Sequence, residues 1–356
     1  QEDKIMTQIP RPEHPQPQMK REHWKNLNGE WDFSFDFGCS GIDQKWQEGK
    51  TDWEKKILVP FCPESDLSGI GYKDFIPGVW YHRTITLTGE ELKGDLLLHF
   101  GAVDYDARVW INGVEAGRHQ GGYVSFTFNI TNLVKEGEND ITLFAADDVR
   151  GGKQPKGKQS HFFYSRGCDY TRTTGIWQTV WLEWVPESYI EKVQYYPNLA
   201  EATLGIKAVV KGQGTLEAKA FYVGEPCGSV SAKSEGGTVT MTLPLSRLEK
   251  WEPGHGRLYD LTLTYGEDKV ESYFGMREVR LDGEKFLIND KSVFQRLVLD
   301  QGFYPDGIYT APTEEALVKD VELSMAAGFN GARLHQKVFE PLFLYHCDKA
   351  GYLVWG

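Results

Sequence analysis

The stretch that decides the fold lies near the end of the 356-residue chain and contains three apolar runs. They are VFQRLVLD at residues 293–300, FNGARL at residues 329–334 and YLVW at residues 352–355. Short apolar runs bounded by polar segments are typical of buried strands. The pattern predicts strands at Val293–Leu299, Phe329–Leu334 and Tyr352–Trp355.

Helices are predicted between these runs. Thr313 can cap a helix that continues through Ala327, because its hydroxyl can accept a hydrogen bond from the first turn. A second helix is predicted over Phe339–Ala350, and Gly351 supplies the residue that ends it. Alternating strands and helices indicate a parallel sheet or barrel, so we expect the first part of a (β/α)8 TIM barrel over residues 276–356. A complete barrel needs roughly 250 residues, so this one is expected to be incomplete.

The chain before this region is predicted to be all β. Between residues 20 and 186, many short apolar runs are broken by Gly, Asn and Asp, a pattern that fits a jelly-roll sandwich. Asn112 and Gly113 follow a strand and predict a hairpin, because both residues tolerate positive φ. Residues 187–275 hold regularly spaced strands and resemble an immunoglobulin-like β-sandwich. Residues 1–19 are rich in Pro and Gln and are predicted to be an extended lead-in.

Composition and charge exclude several classes of function. The net charge of −12 argues against nucleic acid and against an anionic membrane surface as partners, and no apolar run approaches the ~20 residues of a spanning helix. Five widely spaced cysteines without a C-x-x-C pair indicate neither a zinc site nor a disulfide framework. No cofactor is expected, and no spacing of His, Asp and Glu requires a metal, although a metal that assists at the sugar stays open. No signal peptide is visible. A cytoplasmic protein stays open, but a periplasmic or secreted protein whose signal has been removed is favoured.

Several motifs together carry a resemblance to a known family. They are NGEWDF at 28–33, VPFCPES at 59–65 with VWYHR at 79–83, FGAVDY at 100–105 with WING at 110–113 and GGY at 121–123, and TGIWQTV at 174–180. Each motif is weak alone. In this order, and ahead of a barrel-like segment, they resemble glycoside hydrolase family 2, the β-galactosidase, β-glucuronidase and β-mannosidase group. The resemblance covers the chain from Asn26 to Gly356.

This resemblance implies a retaining exo-β-glycosidase, with β-galactosidase-like activity as the leading choice. Such enzymes use two carboxyl groups about 5–5.5 Å apart, one as acid/base and one as nucleophile. In this family both are Glu residues on later barrel strands, which we expect beyond Gly356. No catalytic residue is therefore expected within this chain, and the chain alone is predicted to be inactive. The expected partner is an oligosaccharide or glycoside substrate, and homo-oligomer formation stays open.

Two substrate-binding residues are implied at the end of the second barrel strand. Arg333 matches the Arg of the family's Asn-x-x-Arg pattern, where it can hold a catalytic carboxylate ionised and oriented; a structural ion pair is the alternative. His335 lies two residues further and is expected on the same side of the sheet. The family usually has Arg-x-x-His, whereas this chain has Gln336 in that place, so a loop histidine with satisfied hydrogen bonds is the alternative.

Two acidic residues complete the candidate set. Asp300 ends the first barrel strand, where a turn-stabilising Asp is favoured over a ligand, and the loop 301–309 that follows is expected to shape specificity. Asp169 lies six residues before Gly175, where family members reach a loop carboxylate toward the sugar hydroxyls, although aspartates in Gly-rich loops usually cap turns. The basic segment Lys153–Lys158 is predicted to be a solvated hairpin tip.

Two other functions fit parts of the sequence. A non-catalytic carbohydrate-binding or scaffold module would need the sandwiches without hydrolysis, and a surface adhesion protein would be built from tandem sandwiches. The alternating strands and helices argue against adhesion, because an adhesion array has no need of them. Glu residues at further barrel strand ends would distinguish the enzyme from the binding module.

Overall fold

The structure is a computed structural model that describes residues 9–356. Strands follow one another from Trp24 to Phe274, and the α-helices of the described residues occur only after Thr313. None of these helices is both long and apolar enough to cross a membrane. The protein is therefore predominantly β-sheet, as the sequence predicts.

The first region is a sandwich of two antiparallel sheets with a shared core. Its strands are β1 Trp24–Asn26, β2 Gly29–Phe35, β3 Lys55–Val59, β4 Gly78–Leu87, β5 Asp95–Phe100, β6 Val103–Asp104, β7 Asp106–Ile111, β8 Val114–Gln120, β9 Phe126–Asn129, β10 Gly137–Ala146, β11 Gly175–Ile176 and β12 Val180–Val185. The sheets have the orders β1-β12-β5-β9 and β3-β2-β4-β10-β7-β8, and β6 pairs separately with β11. Buried side chains of both large sheets, such as Leu98 and Leu143, belong to one core.

The second region is a smaller antiparallel sandwich. Its strands are β13 Tyr189–Asn198, β14 Thr203–Lys211, β15 Gly214–Tyr222, β16 Glu225–Ser234, β17 Gly237–Pro244, β18 Tyr259–Tyr265 and β19 Asp268–Phe274. They form the sheets β13-β14-β17 and β16-β15-β18-β19 around a second core. Strands β13 and β16 are not visible in the side-chain pattern of the sequence, because both are edge strands with many exposed side chains and no continuous apolar run.

The last region contains a small antiparallel sheet and then alternating strands and helices. Its elements are β20 Val279–Asp282, β21 Lys285–Ile288, β22 Lys291–Ser292, β23 Leu297–Asp300, α1 Glu314–Ala326, β24 Gly331–Leu334, α2 Pro341–Ala350 and β25 Leu353–Trp355. Strands β23, β24 and β25 are parallel neighbours, with Val298 beside Ala332 and Ala332 beside Val354. The parallel arrangement agrees with the sequence prediction.

One predicted strand boundary is wrong. The first parallel strand was expected over Val293–Leu299, but it begins at Leu297. The backbone N–H of Val293 donates to the carbonyl of Phe286 at 2.9 Å and so continues the pairing of β21 and β22. The apolar run therefore belongs to two different sheets, a division that side-chain pattern alone does not reveal.

The predicted capping residues Thr313 and Gly351 are confirmed, but the second helix begins at Pro341 and not at Phe339. The Thr313 hydroxyl accepts a hydrogen bond from the N–H of Ala316, which fixes the start of α1. Helix α2 begins with Pro341 in its first turn and ends at Gly351, whose φ of 71° is in the left-handed region that favours glycine.

Ion pairs of Arg11, in the lead-in segment, and of Arg21, just after it, connect the start of the described chain to all three regions. Arg21 donates to Glu183 of β12 at 2.7 Å and to Asp268 of β19 at 2.8 Å, and all three side chains are buried. Arg11 binds Glu340, just before α2, through both terminal nitrogens. The predicted lead-in thus contacts the last region through Arg11, and Arg21 joins the first two regions to each other.

Candidate functional site

The carboxyl ends of β23 and β24 form one edge of the parallel sheet, and three of the four sequence candidates lie there. The pairing continues past the strands, because the N–H of His335 donates to the carbonyl of Asp300 at 2.8 Å. Arg333 lies between Leu299 and Trp355 in the register and exposes its side chain. In parallel α/β proteins this edge is where ligands bind.

His335 has an unsatisfied polar atom at this edge. Its Nδ1 is buried and has no hydrogen-bond partner among the described residues, and the same is true of the Oε1 atom of Gln301. Partial burial, followed by the positive charges of Arg333 and Lys158, lowers the pKa of His335. The imidazole is therefore mainly neutral at pH 7, and it presents a nitrogen that a ligand hydroxyl could satisfy.

Asp300 is placed differently from a free ligand-binding carboxylate. Its Oδ1 accepts a hydrogen bond from the N–H of Gly302 at 2.8 Å. This contact stabilises the turn at the start of the loop after β23, and it fits the turn-stabilising alternative.

Lys337 binds the loop that follows β23, and it was not identified from the sequence as a residue of the site. Its ammonium donates to the carbonyls of Gly302 at 2.5 Å and Tyr309 at 3.2 Å. It also lies 4.8 Å from the ring centre of Tyr309 and 5.5 Å from that of Trp177 in the first sandwich. Burial lowers its pKa to about 8, so the side chain is still largely charged at pH 7.

A long loop of the first sandwich, residues 147–174, joins β10 to β11 and reaches this edge. Loops of this length inside a compact structure are uncommon and are often functional. Its first half is tied to buried carboxyl groups of the sandwich. Gln154 donates to Asp147 at 2.6 Å, and Gln159 donates to Asp104 at 2.7 Å.

The end of the long loop is tied to the same group of acids. Thr174 donates its N–H to Glu64 at 3.1 Å and its hydroxyl to Asp147 at 2.9 Å. Burial raises the pKa of Glu64 to about 8 and that of Asp147 to about 6, and it raises the pKa of Asp104 well above its usual range. We call Glu64, Asp104 and Asp147 the buried acid cluster. Each member keeps its proton to a higher pH than a carboxyl group at the protein surface does.

The long loop contacts the edge of the parallel sheet at Gly157 and Tyr170. At Gly157, with φ of 56°, a Cβ atom would lie 2.2 Å from the carbonyl oxygen of Gln336. The ring of Tyr170 packs against Phe303 with centroids 4.4 Å apart. The prediction of a solvated tip at Lys153–Lys158 is therefore wrong for its second half, because Gly157 and its neighbours pack against a part of the fold that is distant in sequence.

Asp169 occupies the same loop and keeps part of its carboxylate accessible. Its backbone exchanges two hydrogen bonds with Arg166, each of 3.0 Å, which fixes a tight hairpin. Its Oδ2 lies 3.8 Å from the Lys156 ammonium and 4.0 Å from Nδ1 of His161. The side chain is 25% exposed, so it remains available to a ligand.

The structure thus brings Asp300, Arg333 and His335 together and places the loop that carries Asp169 against the same edge. Lys337, Lys158 and the buried acid cluster were not among the site residues predicted from the sequence. Glu64 and Asp104 lie inside quoted motifs as acidic residues among apolar ones, which is a usable signal. Among residues 9–356, no group of three or more potential metal ligands has a suitable arrangement.

Comparison with known proteins agrees with this architecture. Residues 24–186 match the model of the glycosyl hydrolases family 2 sugar binding domain. These residues are therefore similar to the sugar binding domain of that family. The chain is 26% identical to a β-glucuronidase of Sus scrofa over 96% of its length, and 26% identical to a β-galactosidase of Lactococcus lactis over 93% of it. A solved β-glucuronidase of Ruminococcus gnavus superimposes over 95% of this chain with a TM-score of 0.80 at 20% identity.

These similar proteins are longer than this chain. It spans 57% of the Sus scrofa protein, 34% of the Lactococcus lactis protein and 60% of the Ruminococcus gnavus structure. A solved β-glucuronidase of an uncultured Clostridium species is similar in the same way, with a TM-score of 0.78, 23% identity and 59% of its length covered. At these identities the solved structures establish the fold of this chain.

The buried acid cluster predicts an unusual dependence of stability on pH. Folding raises the pKa of Glu64 from its ordinary value of 4.5 to about 8. The stabilisation is therefore complete below about pH 4.5 and is lost as the pH rises through about 8, at about 1.4 kcal/mol per pH unit. Glu64→Gln removes this dependence and keeps an acceptor for Thr174. Between pH 5.5 and 8.5, the free energy of unfolding in urea should fall about 3 kcal/mol less in Glu64→Gln than in the wild type.

The matched control is Glu138→Gln, since Glu138 is exposed on β10. Its pH dependence should parallel that of the wild type. A Glu64→Gln curve that also parallels the wild type would contradict the raised pKa of Glu64.

The close approach at Gly157 predicts a position-specific cost. Gly157→Ala should lower the free energy of unfolding and speed hydrogen exchange around Gln336, because the new methyl group must displace the two backbones from each other. Gly167→Ala is the control, because Gly167 has a similar φ of 60° but no atom within 4 Å of the added Cβ. Both variants carry the backbone strain of about 1 kcal/mol. Equal losses in the two variants would show that the contact of Gly157 with Gln336 contributes nothing.

Proposed function

We propose that this chain carries the accessory domains and the first part of the catalytic barrel of a retaining exo-β-glycosidase. In this proposal, residues 20–186 are a jelly-roll sugar-binding-like domain, residues 187–275 an immunoglobulin-like sandwich and residues 276–356 the first units of a (β/α)8 barrel. The parallel register of β23, β24 and β25 supports the barrel assignment. The half-exposed apolar side chains of Leu299 and Trp355 support further barrel elements that would cover them.

The observation that carries the proposal is the contact between the long loop and the carboxyl ends of β23 and β24. Barrel enzymes bind their substrates at this end of the strands. Here the edge carries Arg333 and the unsatisfied His335 nitrogen, and the loop of the first sandwich that contacts this edge carries Asp169. Small-molecule sites occur preferentially where two domains meet, and this edge is such a place.

Each candidate has a distinct role in the proposed enzyme. Asp169 accepts hydrogen bonds from hydroxyls of the terminal sugar, and His335 binds another hydroxyl through Nδ1. Arg333 holds a catalytic carboxylate ionised and oriented. Asp300 fixes the turn that begins the loop after β23. The acid/base and the nucleophile are proposed to be Glu residues outside this chain, on barrel strands that its longer relatives have room for.

The sugar is proposed to be a β-glucuronide or a β-galactoside. Relatives named for each activity match this chain at similar identity, so the β-galactosidase preference expected from the sequence is not confirmed. Arg333, Lys158 and Lys337 make this edge basic, which suits a sugar carboxylate as well as the catalytic carboxylates. The positive charge at this edge is compatible with both sugars and does not distinguish a β-glucuronide from a β-galactoside.

Hydrolysis assays test the proposed reaction. The complete gene product should hydrolyse nitrophenyl β-glucuronide or nitrophenyl β-galactoside, and the 356-residue chain alone should release no nitrophenol. The expected difference arises because two carboxyl groups must flank the glycosidic bond. Turnover by this chain alone would place the catalytic pair within it. Absence of turnover by the complete gene product on every nitrophenyl β-glycoside would favour a non-catalytic carbohydrate-binding module.

Arg333 predicts a kinetic effect that a purely structural ion pair would not have. In the complete gene product, Arg333→Ala should lower kcat by about 100-fold while the melting temperature changes by less than about 2 °C, since the side chain is exposed. Arg296→Ala is the matched control, because Arg296 is an exposed arginine at the opposite end of the same sheet. A lower melting temperature with unchanged kcat would establish the ion-pair alternative for Arg333.

A further inference from the structure

An exposed pair of aromatic rings lies on the hairpin that carries Asp169. Phe162 and Tyr164 expose 36% and 63% of their surfaces. Their rings are stacked, with centroids 6.2 Å apart and an angle of 25° between the planes. Single exposed apolar side chains are common on protein surfaces, but adjacent exposed rings often mark a binding surface.

The hairpin holds these rings on a fixed backbone. The buried guanidinium of Arg172 donates to the carbonyls of Ser160, Phe162 and Phe163. The hydroxyl of Ser160 also donates to the carbonyl of Tyr164 at 3.0 Å. Because the backbone is fixed before any ligand arrives, binding to the rings requires little further ordering of the protein.

The side chain between them, Phe163, is also exposed but makes a different contact. Phe163 packs edge-on against Phe75 with centroids 5.0 Å apart, so its ring contacts the body of the first sandwich. Phe162 instead lies 4.3 Å from the ring of His161, whose Nδ1 is 4.0 Å from the carboxylate of Asp169. The ring pair is therefore linked through His161 to Asp169, the residue proposed to bind the terminal sugar.

We propose that Phe162 and Tyr164 bind the leaving-group side of the glycoside, an inference that rests on the proposed function. With the terminal sugar at Asp169, the group on the other side of the glycosidic bond extends along the hairpin onto the stacked rings. The rings suit a group with a flat apolar face. An aryl group and the C–H face of a second sugar ring share this chemistry, whereas a methyl group is too small to cover the rings.

Binding of matched glycosides to the 356-residue chain tests the inference. Saturation-transfer NMR titrations would compare phenyl and methyl β-glycosides of galactose and of glucuronic acid, with lactose as the disaccharide. The wild type should bind the phenyl glycoside about threefold to tenfold more tightly than the methyl glycoside of the same sugar. Phe162→Ser combined with Tyr164→Ser should abolish this preference and leave the affinity for the methyl glycoside unchanged.

Two controls keep the outcome clear. Tyr196→Ser removes a ring that is 54% exposed on the second sandwich, and it should keep the phenyl preference. Tyr164→Ser alone, at the more exposed position, should reduce the preference, and it replaces the double variant if the latter does not fold. Weaker lactose binding in the double variant would extend the assignment to sugar rings, and unchanged lactose binding would restrict it to aryl groups.

The failure of this inference is distinguishable from the failure of the proposed function. A phenyl preference that survives in the double variant, or that is absent from a wild type that binds methyl glycosides, overturns the role of the rings and leaves the proposed function standing. A wild type that binds no glycoside at millimolar concentration overturns both.

Discussion

Three buried carboxyl groups hold the long loop in place, and the candidate site depends on this attachment. Glu64 and Asp104 lie inside the first sandwich and Asp147 is the first residue of the loop, and all three accept hydrogen bonds from later residues of the loop. Burial makes the charged form of each costly, so their protonated forms persist to higher pH than those of surface acids. A network of this kind fixes one arrangement of a loop that has no regular secondary structure.

The consequence is a site composed of parts that are distant in sequence. The parallel sheet supplies Arg333 and His335 at strand ends, and Lys337 holds the adjoining loop through carbonyl contacts with Gly302 and Tyr309. The first sandwich supplies Asp169 and the ring pair on a hairpin that Arg172 fixes. Hydrophobic contact between Trp177 and Tyr309 keeps the two regions together. Sugar binding and the approach of the leaving group are therefore proposed to be shared between the two regions.

Much of the fold could be predicted from the sequence, because the deciding signals are local. Thr313, Gly351 and the apolar runs of β24 and β25 place the helices and parallel strands within a few residues. The boundary at Val293 could not be predicted, because one apolar run serves two sheets. Edge strands β13 and β16 lack the apolar periodicity that makes central strands visible. Site residues such as Lys337 were not predictable, because their surroundings form only when distant loops meet.

Hydrogen exchange measured by mass spectrometry tests the central claim that the long loop and the edge of the parallel sheet form one structural unit. The account predicts that peptides covering residues 147–174 and 301–313 are both protected and open with the same free energy, because each is held by contacts with the other region. Rapid exchange throughout residues 147–174, with residues 301–313 still protected, would contradict it. The loop would then be an independent surface segment, and Asp169 and the aromatic rings would have no fixed place beside the sheet.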